Sequence, residues 1–126
     1  PGEIVEVKGI AQRLWPDHCV QGKLGAEYAP QLDTRRISKV FFKGTDPDID
    51  SYSTFFDNAH LRSTGLEDYL RMQGVDEVII VGLATDYCVK YSALDALQLG
   101  FKVEVKLQGC RGIDAIEGDC EKAVEE

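Results

Sequence analysis

Histidine is the first scarcity: His18 and His60 are the only two in 126 residues, and a lone histidine does not hold a structural or catalytic zinc. No apolar run approaches the ~18 residues of a membrane span, and no signal-peptide pattern is present. Lys and Arg are sparse and scattered. Fourteen bases against 22 acids leave a net charge of −8, so neither nucleic acid nor an anionic membrane is expected as a partner. Cys19, Cys88, Cys110 and Cys120 contain no CxxC pair and no small-domain disulfide framework. In an α/β chain they read as thiols of a reducing compartment, the cytoplasm. Internal repeats and low-complexity tracts are missing as well.

What remains is ordinary globular material, 44% apolar, of a length that fits one domain spanning 1–126. The chain opens on Pro1 rather than Met, and 115–126 reads as a helix cut short. We therefore expect part of a larger domain, incomplete at both ends.

From Pro1 to about Gln31, Gly and Pro are frequent and no period is sustained, which predicts mostly loop. Ile37 to Lys43 is β-branched and aromatic and stops at Gly44, predicting a buried strand. Thr45 to Ser53 is acidic, contains Pro47, and reads as an exposed loop. Thr64 and Glu67 have the spacing of a capping box, Leu66, Tyr69 and Leu70 give the next helix an apolar face, and Gly74 is its stop. Val78 to Leu83 is apolar throughout, as a strand covered on both faces would be. A helix from about Asp86 to Leu99 carries Tyr87, Tyr91, Leu94 and Leu97 at helical spacing, with Gly100 as its end. Phe101, Val103, Val105 and Leu107 then alternate with charged residues, predicting a strand near an edge. Strand and helix alternating with short connections predict an α/β fold on a parallel sheet.

Ligands of such sheets sit beyond the carboxyl ends of the strands. Lys43 ends one predicted strand, and Cys88 opens the helix after another. A thiol there faces unpaired backbone N–H groups and the positive end of the helix dipole, which favour an anionic sulfur and can hold an oxyanion. A nearby ammonium would reinforce this, and the pair suggests nucleophilic attack on a carbonyl. Taken singly, each residue also has a plain reading. Cys88 can be a small buried hydrophobe, Lys43 a solvated strand end, and His18 a hydrogen-bonded loop residue. His60 reads as surface, and Cys110 and Cys120 as structural.

Five strings occur in order: Trp15-Pro16-Asp17-His18-Cys19-Val20-Gln21, Phe42-Lys43-Gly44, Asp50 through Asn58, Gly82 through Val89, and Leu94 through Gly100. Together they resemble the nicotinamidase/pyrazinamidase branch of the isochorismatase-like cysteine hydrolases, over nearly the whole chain. The resemblance implies a three-layer α/β/α, Rossmann-like domain and a Cys-Lys-Asp triad, with Cys88 the nucleophile and Lys43 the lysine. It implies an oxyanion hole from the N–H groups of Ala84 and Cys88, a cis Leu83–Ala84 bond, and pyridine-pocket walls from Trp15 and Tyr52. His18 matches one ligand of a divalent metal ion, zinc first, with iron or manganese as alternatives. The implied reaction is hydrolysis of nicotinamide, and of pyrazinamide, through a cysteine thioester in NAD salvage. The implied partner is that small molecule; a homo-oligomer stays open.

The triad aspartate and remaining metal ligands of the family precede the Trp15 string and have no match here. These 126 residues alone are thus expected to lack a complete active site. Two alternatives stand beside the amidase: a related hydrolase acting on another small amide, and a catalytically dead truncated domain.

Overall fold

The computed structural model describes residues 2–126. It falls into two compact units, Pro1–Val40 and Phe41–Glu126.

The first unit is mostly loop, as expected, except for a hairpin that the sequence did not announce. Strands β1 (Ile4–Val7) and β2 (Ile10–Arg13) form an antiparallel hairpin with Val7 opposite Ile10. The two-residue turn between them holds both Lys8 and Gly9 at positive φ, 52° and 79°. That is the signature of the primed turns whose twist matches paired strands. Glycine takes this backbone freely, whereas Lys8 does not, which is why the turn carries no hairpin signal in sequence. The rest of the unit carries only two short 3-10 turns, Leu24–Ala26 and Thr34–Arg36. Among its described residues Gln12 alone is buried.

The second unit is built on a βαβ crossover. Strands β3 (Glu77–Leu83) and β4 (Lys102–Arg111) pair in parallel, with a shift of register between Ile80 and Gly82. Between them run a wide π-type turn, Thr85–Val89, and helix α2 (Lys90–Gln98). Helix α1 (Leu66–Met72) precedes β3, and α3 (Asp119–Glu125) follows β4. Phe55, Ala96 and Phe101 form the core, with Phe56, Leu66, Leu70, Val78, Leu99 and Val103 packed on them. The rings of Phe55 and Phe101 stack at 6.1 Å. Fully burying one such side chain contributes about 1.5–3 kcal/mol.

The α/β parallel architecture is as expected; several details are not. Residues 37–43 form no sheet ladder, and Phe42 is 78% exposed. An apolar run becomes a strand only where another backbone pairs with it, and among the described residues none does. Strand β3 is covered on one face only, since Ile79, Val81 and Leu83 stay exposed. Helix α1 starts at Leu66 behind a left-handed Gly65 rather than on a Thr64 cap, although the Thr64 hydroxyl accepts the Leu66 N–H at 3.3 Å. Gly74 does end it, at φ 69°. The acidic segment is a loop but tucks inward: Ile49, Ser51 and Ser53 are buried, and Asp46 pairs with Arg62 at 3.0 Å.

The residues at helical spacing, Tyr87, Tyr91, Leu94 and Leu97, do not make the buried face of the helical segment. Val89, Ser92 and Ala96 face the interior, while Leu97 is 55% exposed. Leu94 and Leu97 instead line an apolar groove of about 270 Å³ with Val105, Leu107 and Val124. Among the described residues no helix is long and apolar enough to cross a membrane.

Candidate active site

The carboxyl end of β3 delivers the chain to the site. The Leu83–Ala84 peptide is cis, as the resemblance implies, and Ala84 itself is extended at φ −101°, ψ 147°. The wide turn then begins. The Ala84 carbonyl accepts N–H groups from both Tyr87, at 3.1 Å, and Val89, at 3.0 Å. Cys88 is thereby fixed in the first turns of a helical segment that runs on into α2, where its thiol is half-buried.

Lys43 arrives from the other side. Its ammonium donates to the Ser51 carbonyl at 2.7 Å and to the Cys88 sulfur at 3.3 Å, across 45 positions of sequence. The two residues selected from sequence as nucleophile and cationic partner therefore touch. An ammonium at this distance is placed to hydrogen-bond to an anionic sulfur.

Tyr52 lies close by in the chain. Its backbone N–H donates to the Asn58 side chain at 2.9 Å, and its ring meets Tyr87 edge-on at 5.4 Å and Tyr91 at 5.5 Å. These three rings make one aromatic cluster next to the Lys43 anchor in sequence. Tyr87 and Tyr91, noted in sequence for their helical spacing, belong here.

Trp15 and His18 sit in the first unit. Trp15 is half-buried with the Arg13 guanidinium 5.9 Å from its ring centre. His18 Nδ1 is 2.6 Å from the Pro16 carbonyl. A carbonyl only accepts, so Nδ1 is the donor in this contact, which leaves Nε2 as the ring nitrogen turned to other partners. His18 thus fits as one donor. Among the described residues, however, no three His, Cys, Asp or Glu side chains gather into a metal-binding group. One imidazole does not make a zinc site, so the donor set of this chain does not complete one.

His60 stacks on Phe56 at 4.9 Å and pairs with Asp95 at 3.5 Å, with its side chain half-exposed. Cys110 is buried and points at the Lys106 carbonyl.

Sequence reading passed over two residues. Asp86 is buried and accepts the N–H groups of Ile113 at 3.0 Å and Asp114 at 2.8 Å, tying the Cys88 turn to the segment after β4. An acid in the first turn of a helix was the available signal, since it answers the helix dipole. Gly112 lies under this tie, where a Cβ would stand 2.0 Å from the Cys120 sulfur, so a side chain there would have to displace that thiol. The second is Ser92, buried at 1% exposure one turn beyond Cys88. Nothing in its local sequence marks it out.

Comparison with known proteins gives a consistent picture. The chain is 53% identical over 114 residues to the nicotinamidase of Escherichia coli K12, covering 90% of this chain and 52% of that protein. A solved structure described as an Acinetobacter baumanii nicotinamidase/pyrazinamidase superposes with a TM-score of 0.93 at 43% identity, covering 99% of this chain and 60% of that one. The pyrazinamidase of Pyrococcus horikoshii, solved in complex with zinc, superposes at 0.75 with 39% identity, covering 90% of this chain and 57% of the other. The chain spans about half the length of the curated relatives it matches. Residues 7–116 match the isochorismatase domain, and the chain belongs to that family.

Proposed function

We propose that the protein containing this chain is a nicotinamidase, converting nicotinamide to nicotinate and ammonia, with pyrazinamide as an alternative substrate. The observation that carries the reading is the 3.3 Å contact between the Lys43 ammonium and the Cys88 sulfur at the end of β3. The nicotinamidase names of relatives at 53% and 42% identity support the choice of substrate.

In this reading the Cys88 thiolate attacks the amide carbon, forming a C–S bond and sending the carbonyl electron pair to oxygen. The N–H groups of Ala84 and Cys88 hold that oxyanion. The C–N bond then breaks, and ammonia leaves with a proton. Water attacks the thioester, the C–S bond breaks, and the carboxylate departs as the thiol is restored. Lys43 lies against the sulfur, placed to balance the anion that attacks. Tyr52 forms one wall of the aromatic-ring pocket. By the family resemblance a carboxylate moves the protons, and it has no match among these 126 residues.

A divalent metal is a separate proposal for the complete protein, with zinc first because the Pyrococcus relative was solved with it. His18 Nε2 would be one ligand, and none of the steps above uses the metal. Four free thiols support a cytoplasmic setting.

Ammonia release from nicotinamide by the complete protein is the test. Cys88→Ala is expected to lower kcat by about 10⁴-fold or more. Turnover retained in that variant would remove Cys88 from its role.

A further inference from the structure

Ser92 has no part in the scheme above, yet its hydroxyl is fully engaged in a nearly solvent-free position. It donates to the Cys88 carbonyl at 2.6 Å and accepts the Thr54 backbone N–H at 2.9 Å. Thr54 lies three residues past Ser51, whose carbonyl receives the Lys43 ammonium at 2.7 Å. That ammonium returns to the Cys88 sulfur at 3.3 Å. The contacts therefore close on themselves: Cys88 sulfur, Lys43, the backbone from Ser51 to Thr54, the Ser92 hydroxyl, and the Cys88 carbonyl.

The 51–54 segment is braced in turn. The Ser51 hydroxyl donates to the Phe56 carbonyl at 3.2 Å, and the Ser53 hydroxyl accepts the Phe55 N–H at 3.1 Å. Beside the Tyr52 ring contacts with Tyr87 and Tyr91, the Ser92 hydroxyl is the hydrogen-bonded link from this segment, joining the Thr54 N–H to the carbonyl of Cys88. A serine bonding back to the carbonyl four residues earlier is common in helices. Accepting from a segment 38 positions away at the same time is what makes this one a strut.

We propose that Ser92 is a positioning residue that sets the separation of the Lys43 ammonium from the Cys88 sulfur. It touches neither sulfur nor ammonium. It acts by holding the backbone that anchors Lys43 against the backbone that carries Cys88. Removing the hydroxyl takes this partner from the part-buried Thr54 N–H and Cys88 carbonyl and leaves the Tyr52 ring contacts with Tyr87 and Tyr91 as the tie, so the 51–54 segment can shift on the helix. Lys43 then follows Ser51 away from sulfur. The proposal rests on the amidase reading for its catalytic meaning but not for its geometry.

The test uses the complete protein, with Cys88 alkylation by iodoacetamide at pH 7 followed by peptide mapping, and ammonia release measured in parallel. Ser92→Ala is expected to slow Cys88 alkylation about 5- to 10-fold and to lower kcat comparably, at the scale of one lost part-buried hydrogen-bond relay. In a Lys43→Met background the same substitution is expected to change alkylation by less than about 2-fold, because Lys43 is the route of its effect. Should Ser92→Ala fail to fold, Ser92→Cys keeps the volume with a weaker donor and is expected to slow alkylation about 3-fold. Alkylation unchanged in the folded variant, or slowed equally without Lys43, overturns the proposal. Absence of nicotinamide turnover in the unsubstituted protein overturns the amidase reading instead and leaves the alkylation result standing.

Discussion

Cys88 and Cys120 occupy similar backbone positions and opposite electrostatic ones. Each sits near the N-terminal end of a helical segment, Cys88 in the turn that leads into α2 and Cys120 as the second residue of α3. Cys88 has an ammonium at 3.3 Å. Cys120 has carboxylates: burial first, then the charges of Asp86 and Asp114, push its thiol above the usual cysteine range. A helix N-terminus therefore does not make a nucleophile unaided. The sign of the neighbouring side chain decides.

Reversing that sign at Cys88 breaks the contrast most strongly. Lys43→Glu places a carboxylate beside the sulfur, as at Cys120, and is expected to lower kcat about 10³-fold, while Lys43→Met costs about 10²-fold. Steady-state ammonia release in the complete protein measures both. Equal losses for the two variants would mean that charge is not what Lys43 supplies.

A smaller effect compares the two thiols in one molecule. At pH 7 iodoacetamide is expected to modify Cys88 about 10-fold faster than Cys120, read by mass spectrometry of the peptides. Because the Cys120 thiol is held protonated to higher pH, its alkylation should climb only as pH passes above the ordinary thiol range. Modification of both at one rate would erase the distinction.

The smallest expected change is at Asp114. Asp114→Asn takes one carboxylate from Cys120 and should speed its alkylation at pH 8 about 2-fold, without altering the Cys88 rate. The same variant sharpens an acid-side expectation. The Cys120 backbone N–H holds the Asp114 carboxyl below its usual range. A lowered carboxyl stabilises the fold at pH above its unfolded value, and the contribution is lost as pH falls through the folded value. The substitution removes that dependence, which thermal melts between about pH 5 and 3 would detect.

How far the site could be read in advance depended on whether the signal was chemical or geometric. Lys43 and Cys88 each sit at a position where α/β chains do chemistry, and no detail of packing was needed to pair them. The αβ alternation was equally plain from Val78 to Leu107. The hairpin of β1 and β2 was hidden because Lys8 takes a left-handed backbone that favours Gly or Asn. Ile37 to Lys43 has strand composition, but pairing needs a second backbone. Large side chains drew attention to Tyr87, Tyr91, Leu94 and Leu97. The buried face is instead made by the smaller Val89, Ser92 and Ala96, after a turn that winds wider than an α-helix. Ser92 and Asp86 act through backbone groups far away in sequence, so their roles exist only in three dimensions.

That wide turn has a consequence for how the chain tolerates length changes. In an α-helix each residue advances about 100° around the axis. Removing one residue between Ala84 and Val89 would tighten the coil and swing the sulfur roughly a quarter-circle or more away from the ammonium. Single-residue deletions here should therefore abolish chemistry while leaving the rest of α2 helical: the loose winding sets the compass bearing of the thiol.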